Sequence, residues 1–315
     1  MTLLYADDRA YLVAEHDNRW ALGAPDAPLL TFNDADAYGC AWAVDEPDGW
    51  DFPTVDLPVD RRPNGHGGLA GAPTYEPRTL TVEGTVTAPT YAALRDAHRR
   101  LSDGLLGMLG RPCRWTALDE APRRGLWVQP TGKPLWRYLD DRCADFSFVV
   151  VSDDPIKTGD PAVYGPIRLF STQYLGGYPV GGPAPWTTSG AEGTAAVVAS
   201  VANPGDEDAH ALYRVVGPVP EPIVQLGDGQ YVHLRVNLAA GDVLDVDTYT
   251  GTVLLNGQNR YDTWGPGSVF PLIPGTVRLP DGSRTAGGVD VRLRSYAGGS
   301  DPAATLAVVT APSWR

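Results

Sequence analysis

The chain has 315 residues, a length that favours two domains of roughly 150 residues each over one compact core. Its formal net charge of −13 argues against binding to nucleic acid or to an anionic membrane, because both would repel it. With 43% hydrophobic residues, the sequence has enough apolar surface to form a core, which excludes global disorder.

The cysteines and the N-terminus indicate the compartment. Cys40, Cys113 and Cys143 are far apart in sequence and form no CxxC pair, which favours a reducing compartment and predicts no cysteine metal site. The first eight residues are acidic where a signal peptide is basic, so we expect no export by that route. The longest uncharged stretch, residues 169–191, is interrupted by glycines and prolines, so we expect no membrane-spanning helix.

One segment of the N-terminal half has helical periodicity. We expect Pro89 at its first helical position and Gly107 near its end. The apolar stripe recurs at spacings of three and four and comprises Tyr91, Leu94, His98, Leu101 and Leu105. The other face carries Arg95, Arg99 and Arg100, a pattern more typical of a solvated face than of a binding patch.

The rest of the N-terminal half has strand-like patterns. Polar and apolar residues alternate over 79–86, and residues 146–151 form an apolar run typical of a buried strand. Residues 125–139 contain two strand-like runs on either side of a Gly/Pro-rich segment at 130–134, which predicts a hairpin that protrudes towards a neighbour. Trp127 and Trp136 lie on the two runs of this expected hairpin.

Turn-forming residues between 152 and 161 predict a boundary near residue 158, with domains at 1–158 and 159–315. The second half has no helical stripe. Its strands alternate over 231–238 and 289–294, with His233 on the expected polar face of the first, and closely spaced glycine turns separate them. This pattern predicts a β-sandwich.

Catalytic and metal-binding motifs are scarce. There is no GxSxG elbow, HExxH, P-loop or GxGxxG between a strand and a helix, so we expect no enzyme and no cofactor. Asp242, Asp245 and Asp247 suggest a calcium site, but their spacing departs from an EF-hand loop. We therefore expect no metal site, with Asp245 and Asp247 on the outer face of a strand.

Three aromatic residues of the second half are candidates for stacking on a glycan: Trp186, Tyr231 and Trp264. The alternative, which we favour, is that the tryptophans pack in the core or at an interface. A carbohydrate-binding module that recognises a host cell-wall glycan is thus the second functional hypothesis, and an enzyme acting on the cell wall is the third.

Several segments occur along the chain in an order typical of one family. They are residues 61–68 (RRPNGHGG), 75–86 (YEPRTLTVEGTV) leading into the helix, 125–139, 146–155 (FSFVVVSDDP), 201–205 (VANPG), 217–218, 241–247 (GDVLDVD), 253–257 (VLLNG), Trp264 and 271–275 (PLIPG). In this order they resemble the distal tail protein (Dit) family of long-tailed phages, in particular the minor tail proteins of phages that infect actinobacteria.

The resemblance implies a mainly β fold with a ring-forming first domain and a galectin-like jelly-roll sandwich as the second. It also implies a structural virion protein at the tail tip, assembled in the host cytoplasm into a ring that is usually hexameric. Such a ring joins the tail tube to the tip or baseplate proteins, and DNA passes through it without specific binding. The second domain has no large insertion of the kind that carries an added sugar-binding module in some relatives. Our ring-interface candidates are Arg95, Arg99, Arg100, Trp127 and Trp136.

Overall fold

The computed structural model describes residues 18–24, 27–63, 66–169, 199–279, 283–296 and 303–315. The chain divides into two compact units, one ending at Gly159 and the other beginning at Asp160. Each has its own hydrophobic core, and strands dominate both, so the predicted mainly β fold is confirmed. In the described part of the chain, no helix has the length and apolarity that crossing a bilayer requires.

The first unit is built on one antiparallel sheet that curves around its core. Its strands are β1 Trp20–Ala24, β2 Ala27–Phe32, β3 Asp34–Ala35, β4 Ala41–Val44, β5 Val55–Asp56, β6 Val59–Arg61, β7 Gly68–Ala70, β8 Thr74–Tyr75, β9 Arg78–Thr87, β10 Cys113–Ala117, β11 Arg124–Tyr138, β12 Cys143–Ser152 and β13 Lys157–Thr158. The order of the main sheet is β2-β1-β10-β11-β12-β9-β4-β3.

The two ends of this sheet meet at Asn33, between β2 and β3. The Asn33 side chain accepts from the Val44 amide at 2.7 Å and donates to the Val44 carbonyl at 2.9 Å. Because Asn33 is buried, these bonds replace the strand pairing that the ends of the sheet lack. The enclosed core is rich in aromatic rings, with Trp20 packed edge-on against Trp50 at 4.9 Å.

Helix α1, Tyr91–Gly107, confirms the predicted helix, but Tyr91 of the predicted apolar stripe is 50% exposed. Leu94, Leu101 and Leu105 are buried, and their spacing places them on one side of the helix. The expected place of Pro89 is wrong by two positions. Thr90 is the N-cap, and its hydroxyl accepts from the Ala93 amide at 3.2 Å.

The predicted hairpin at 125–139 is wrong, because these residues lie in the single long strand β11. The first part of β11 pairs with β10 and the second part with β12, so the strand lies inside the sheet. Its Gly/Pro-rich segment is a bulge: the register with β12 shifts between Thr131 and Leu135, and Gly132 has a φ of 69°. A bulge accommodates proline inside a strand because it needs no ladder hydrogen bond there.

The second unit is a sandwich of two antiparallel sheets. Its strands are β14 Ala162–Arg168, β15 Ala199–Ala202, β16 Ala211–Val216, β17 Val219–Pro220, β18 Pro222–Leu226, β19 Tyr231–His233, β20 Asn237–Leu238, β21 Val243–Asp247, β22 Thr252–Leu255, β23 Gln258–Asn259, β24 Gly288–Ser295, β25 Thr305–Thr310 and β26 Ser313–Trp314. The sheets have the orders β14-β25-β16-β21-β22-β23 and β15-β24-β18-β19.

One core fills the space between these two sheets. Tyr213 and Leu244 of the larger sheet and Val224 and Leu293 of the smaller sheet belong to the same cluster of buried side chains. On β24, Val291 and Leu293 face this core and the residues between them are exposed, as the alternating pattern predicts. The sandwich prediction is confirmed.

Candidate interaction surfaces

A long excursion leaves the first unit between β4 and β9. We call residues 51–77 the arm. Within it β5 pairs with β8 and β6 pairs with β7, so the chain goes out and returns as a two-stranded ribbon. Two further backbone bonds extend the ribbon. The bond from Glu76 N to Thr54 O at 2.9 Å lies on the root side of the β5–β8 pair, and the bond from Gly71 N to Pro58 O at 2.7 Å lies between the two pairs.

The arm exposes large apolar side chains. Five of them are 43–62% exposed: Phe52, Val55, Leu57, Val59 and Leu69. Of the arm residues that the structure describes, Pro53 alone is buried. A two-stranded ribbon is marginally stable by itself, and concentrated exposed apolar surface marks an interaction site.

The root of the arm is held by two buried cations. The Arg78 guanidinium donates to the Trp50 carbonyl at 2.6 Å, and Lys157 Nζ donates to the Trp50 and Asp51 carbonyls at 3.0 and 3.2 Å. Lys157 Nζ also lies 4.8 Å from the centre of the Trp50 ring. Burial, together with the charges of Arg78 and Arg124, lowers the pKa of Lys157 to about 8. The arm therefore starts from a fixed point of the core.

The helix arginines differ in their surroundings. Arg95 and Arg99 are exposed, and Arg99 pairs with Asp96 one turn earlier. Arg100 is engaged within the unit, because it forms an ion pair with Asp36 at 2.6 Å and lies 4.0 Å from the Tyr38 ring centre. The contacts of Arg100 thus support the packing of its own unit, and its place at an interface stays a prediction.

The two tryptophans of β11 also differ. Trp127 is 58% exposed and is open to a partner. Trp136 is half-buried, stacks on His98 at 4.6 Å and packs against the core, so its ring is largely used within the unit. The five interface candidates therefore differ in exposure, and the arm, which sequence reasoning missed as a surface, lies outside their set.

The smaller sheet of the second unit carries a groove of about 650 Å³ on its outer face. Its lining residues are Glu221, Ile223, Gln225, Tyr231, His233, Arg235, Pro266, Arg294 and Tyr296. His233 lies on the outer face of β19, as predicted, but it is only 6% exposed because the Tyr296 ring covers it at 4.6 Å.

The three candidate glycan residues separate in the structure. Tyr231 lines the groove. Trp264 stacks on Tyr261 at 5.4 Å and on Phe270 at 4.6 Å, and it packs against the core, as the favoured alternative predicts. Trp186 lies outside the described residues.

The acidic cluster on and beside β21 has structural partners. Asp245 forms an ion pair with Arg214 at 2.7 Å. Asp247 accepts from the Tyr249 amide at 2.9 Å and so closes a turn. Hydrogen bonds from Asn256 and from the Ala239 amide lower the pKa of Asp242. Their carboxylates therefore organise the loops around β21.

The comparisons with known proteins that found a match all point to components of phage tails. Residues 211–292 match the family model described as "Siphovirus-type tail component, C-terminal domain". The crystal structure of Dit of phage SPP1, described as a paradigm of the hub adsorption apparatus in phages that infect Gram-positive bacteria, aligns with a TM-score of 0.56 and 14% identity, covering 94% of this chain and 99% of that one. A chain of the phage P2 baseplate in its Ca-activated conformation aligns with a TM-score of 0.50 and 7% identity, covering 95% of this chain and 98% of that one. No curated protein matches the sequence.

The fold and the matched domain define a structural component of a phage tail. More particularly, the chain has the fold of SPP1 Dit along nearly its whole length, and residues 211–292 of its second unit match the tail-component domain. The resemblance to the Dit family is confirmed.

Proposed function

We propose that this protein is the ring-forming adaptor at the distal end of the phage tail, and that the ring, most simply a hexamer, joins the tail tube to the tip or baseplate proteins. The observation that carries the proposal is the arm, which projects apolar side chains that its own unit leaves exposed. In this proposal the first unit forms the ring, the second projects from it, and assembly takes place in the host cytoplasm.

An arm suits a closed ring because a head-to-tail ring needs two different surfaces on every subunit. The arm is one surface, and the neighbour's surface that receives it is the second. Residues that offer exposed apolar area for the second surface lie on β11, namely Trp127 and Leu135. Arg95 and Arg99 remain predicted members of the rim around that contact.

The distribution of charge also favours a contact through the arm. The tip of the arm carries Arg61 and Arg62, both exposed, on a chain whose net charge is −13. A basic tip is attracted to the acidic surface of the next copy, whereas the acidic bodies of two copies repel each other. The arm is therefore the part of the subunit best suited to reach a neighbour.

The proposal is tested by native mass spectrometry and sedimentation velocity of the full chain. We expect the wild-type protein to form a closed oligomer and the double variant Val55→Asp/Val59→Asp to be monomeric, because charges on the ribbon cannot be buried in the contact. Val277→Asp is the control, since Val277 is similarly exposed but lies in the second unit. A wild-type chain that stays monomeric at high concentration, or an arm variant that still forms the oligomer, would contradict the proposal.

A further inference from the structure

The groove on the second unit arises from the register of three neighbouring strands. Ile223 on β18 lies opposite His233 on β19 on one side and opposite Arg294 on β24 on the other. Side chains at paired positions project from the same face of a sheet. The register therefore places an imidazole, an aliphatic side chain and a guanidinium side by side across the floor of the groove.

Glu221 and His233 form a pair at the edge of the groove. The Glu221 carboxylate lies 3.5 Å from His233 Nε2, which makes no hydrogen bond among the described residues. The side chain of His233 is 8% exposed and that of Glu221 is 33% exposed, so the carboxylate is the member of the pair that a ligand can reach.

The backbone of Glu221 also points to a ligand site. Its φ of 43° is uncommon for a residue with a side chain, and strain of this kind concentrates where a side chain must be held in place. The conformation presents the carboxylate to the groove, beside His233.

Two guanidinium groups make the groove a basic island on an acidic protein. Arg235 and Arg294 both line it and are exposed, and within the described part of the chain neither forms an ion pair. Arg294 Nη1 donates to Gln225 Oε1 at 2.9 Å, which orients its guanidinium without neutralising it. Two guanidinium groups against one lining carboxylate, that of Glu221, leave the groove with an excess of positive charge that suits an anionic group.

An aromatic platform completes the groove. The Tyr296 ring stacks on His233 through one face, yet the residue is 68% exposed. Tyr231 stands at the other side, with its hydroxyl 3.5 Å from the Pro266 carbonyl. An open tyrosine face beside polar side chains suits the apolar face of a sugar ring.

We propose that this groove binds an acidic saccharide. The carboxylate of the sugar pairs with Arg235 and Arg294, the sugar ring stacks on Tyr296, and a hydroxyl group donates to Glu221. An acidic peptide fits less well, because carboxylate side chains only accept hydrogen bonds and would face Glu221 as a like charge. A saccharide both donates and accepts, so it satisfies the carboxylate and the guanidinium groups together. This site is independent of the ring.

The test is calorimetric titration of the full-length protein with three probes. They are a tetrasaccharide of alternating glucuronate and N-acetylglucosamine, the same tetrasaccharide with its carboxylates reduced to alcohols, and a hexaglutamate peptide. We expect binding of the acidic tetrasaccharide, at least about tenfold weaker binding of the reduced form, and weakening of the former by salt. Equal binding of the two tetrasaccharides, tighter binding of the peptide, or no binding of the acidic tetrasaccharide would overturn the proposal.

Variants locate the binding. Arg294→Gln and Tyr296→Ala change exposed side chains, and each should weaken binding of the acidic tetrasaccharide by about tenfold or more. Arg214→Gln removes the same charge from the larger sheet and should leave binding unchanged. Thermal unfolding of each variant verifies the fold, and oligomer formation should persist in all of them, so failure here is distinguishable from failure of the ring. Binding that survives both groove substitutions would place the saccharide elsewhere.

Discussion

Lys157 is buried at the root of the arm, where a cation is costly unless polar groups surround it. Its partners are neutral carbonyl groups, and the charges close to it include the guanidinium groups of Arg78 and Arg124. Arg78 is buried with it, and burial lowers the pKa of Arg78 as well. The two buried cations therefore lower the stability of the fold, but they fix the positions of Trp50 and Asp51. A fixed root suits a segment that must project in one direction.

This trade predicts a pH-dependent stability. The pKa of Lys157 is about 8 in the folded chain and 10.5 in its ordinary state, so the unfolded chain binds more protons between these values. The folded state therefore gains stability as pH rises. Between pH 7.5 and 9.5 we expect a gain of about 2 kcal/mol in the free energy of unfolding, relative to Lys157→Met. Urea unfolding of both proteins at the two pH values measures the difference.

Taking the difference between the two proteins cancels the titration of other groups. Burial raises the pKa of Cys113 and Cys143, so above pH 9 these thiols lower the stability of the fold. They do so to the same extent in both proteins, and the effect cancels in the difference. Lys133→Met is the matched control, since Lys133 is the other lysine of the chain and is exposed. A pH dependence of wild type that Lys157→Met retains in full would show that another group causes it.

At the scale of elements, β11 shows why a proline-rich segment misleads. Pro130, Gly132 and Pro134 are the residues of a turn, yet the segment lies between two paired halves of one strand. Glycine and proline indicate where the hydrogen-bond ladder of a strand is interrupted. Such an interruption occurs both at a bulge and at the tip of a hairpin, so the composition fits either. Only the partners, β10 and β12, distinguish the two, and pairing between distant strands is not contained in the local sequence.

The different roles of β11 and the arm predict opposite results of deletion. Removing residues 126–138 takes a central strand from the sheet and should abolish the folding of the first unit. Replacing residues 59–70 by a short glycine-containing turn removes only the exposed end of the arm, so the unit should keep its near-ultraviolet circular dichroism and resistance to protease. A folded protein without β11 would restore the hairpin interpretation.

Periodic elements were predictable, because burial of one face leaves a repeating pattern. Leu94, Leu101 and Leu105 give the helix, and Val291 and Leu293 give a strand of the sandwich. The arm leaves no such pattern, since its strands are two or three residues long and both of its faces are exposed. The sequence indicated only one part of the groove, since Tyr231 was a candidate residue. Tyr296 and Arg294 come close to it only through the register of the sheet, which the sequence does not contain.

At the scale of the whole molecule, the net negative charge determines how the assembled protein interacts with DNA. Each copy carries a net charge of −13, so a ring multiplies this negative charge. DNA that passes through a tail must not adhere to its wall, and like charge reduces adhesion. Arg61 and Arg62 at the tip of the arm are exposed basic groups, and in the proposed ring they are covered by the neighbouring copy.

This charge balance predicts that duplex DNA does not bind at physiological salt. We expect fluorescence anisotropy of a labelled duplex of about 20 base pairs to stay constant during titration with the protein at about 0.15 M salt. Saturable binding at about 0.15 M salt would mean that a basic surface faces the DNA, and an acidic wall for the channel would then be wrong.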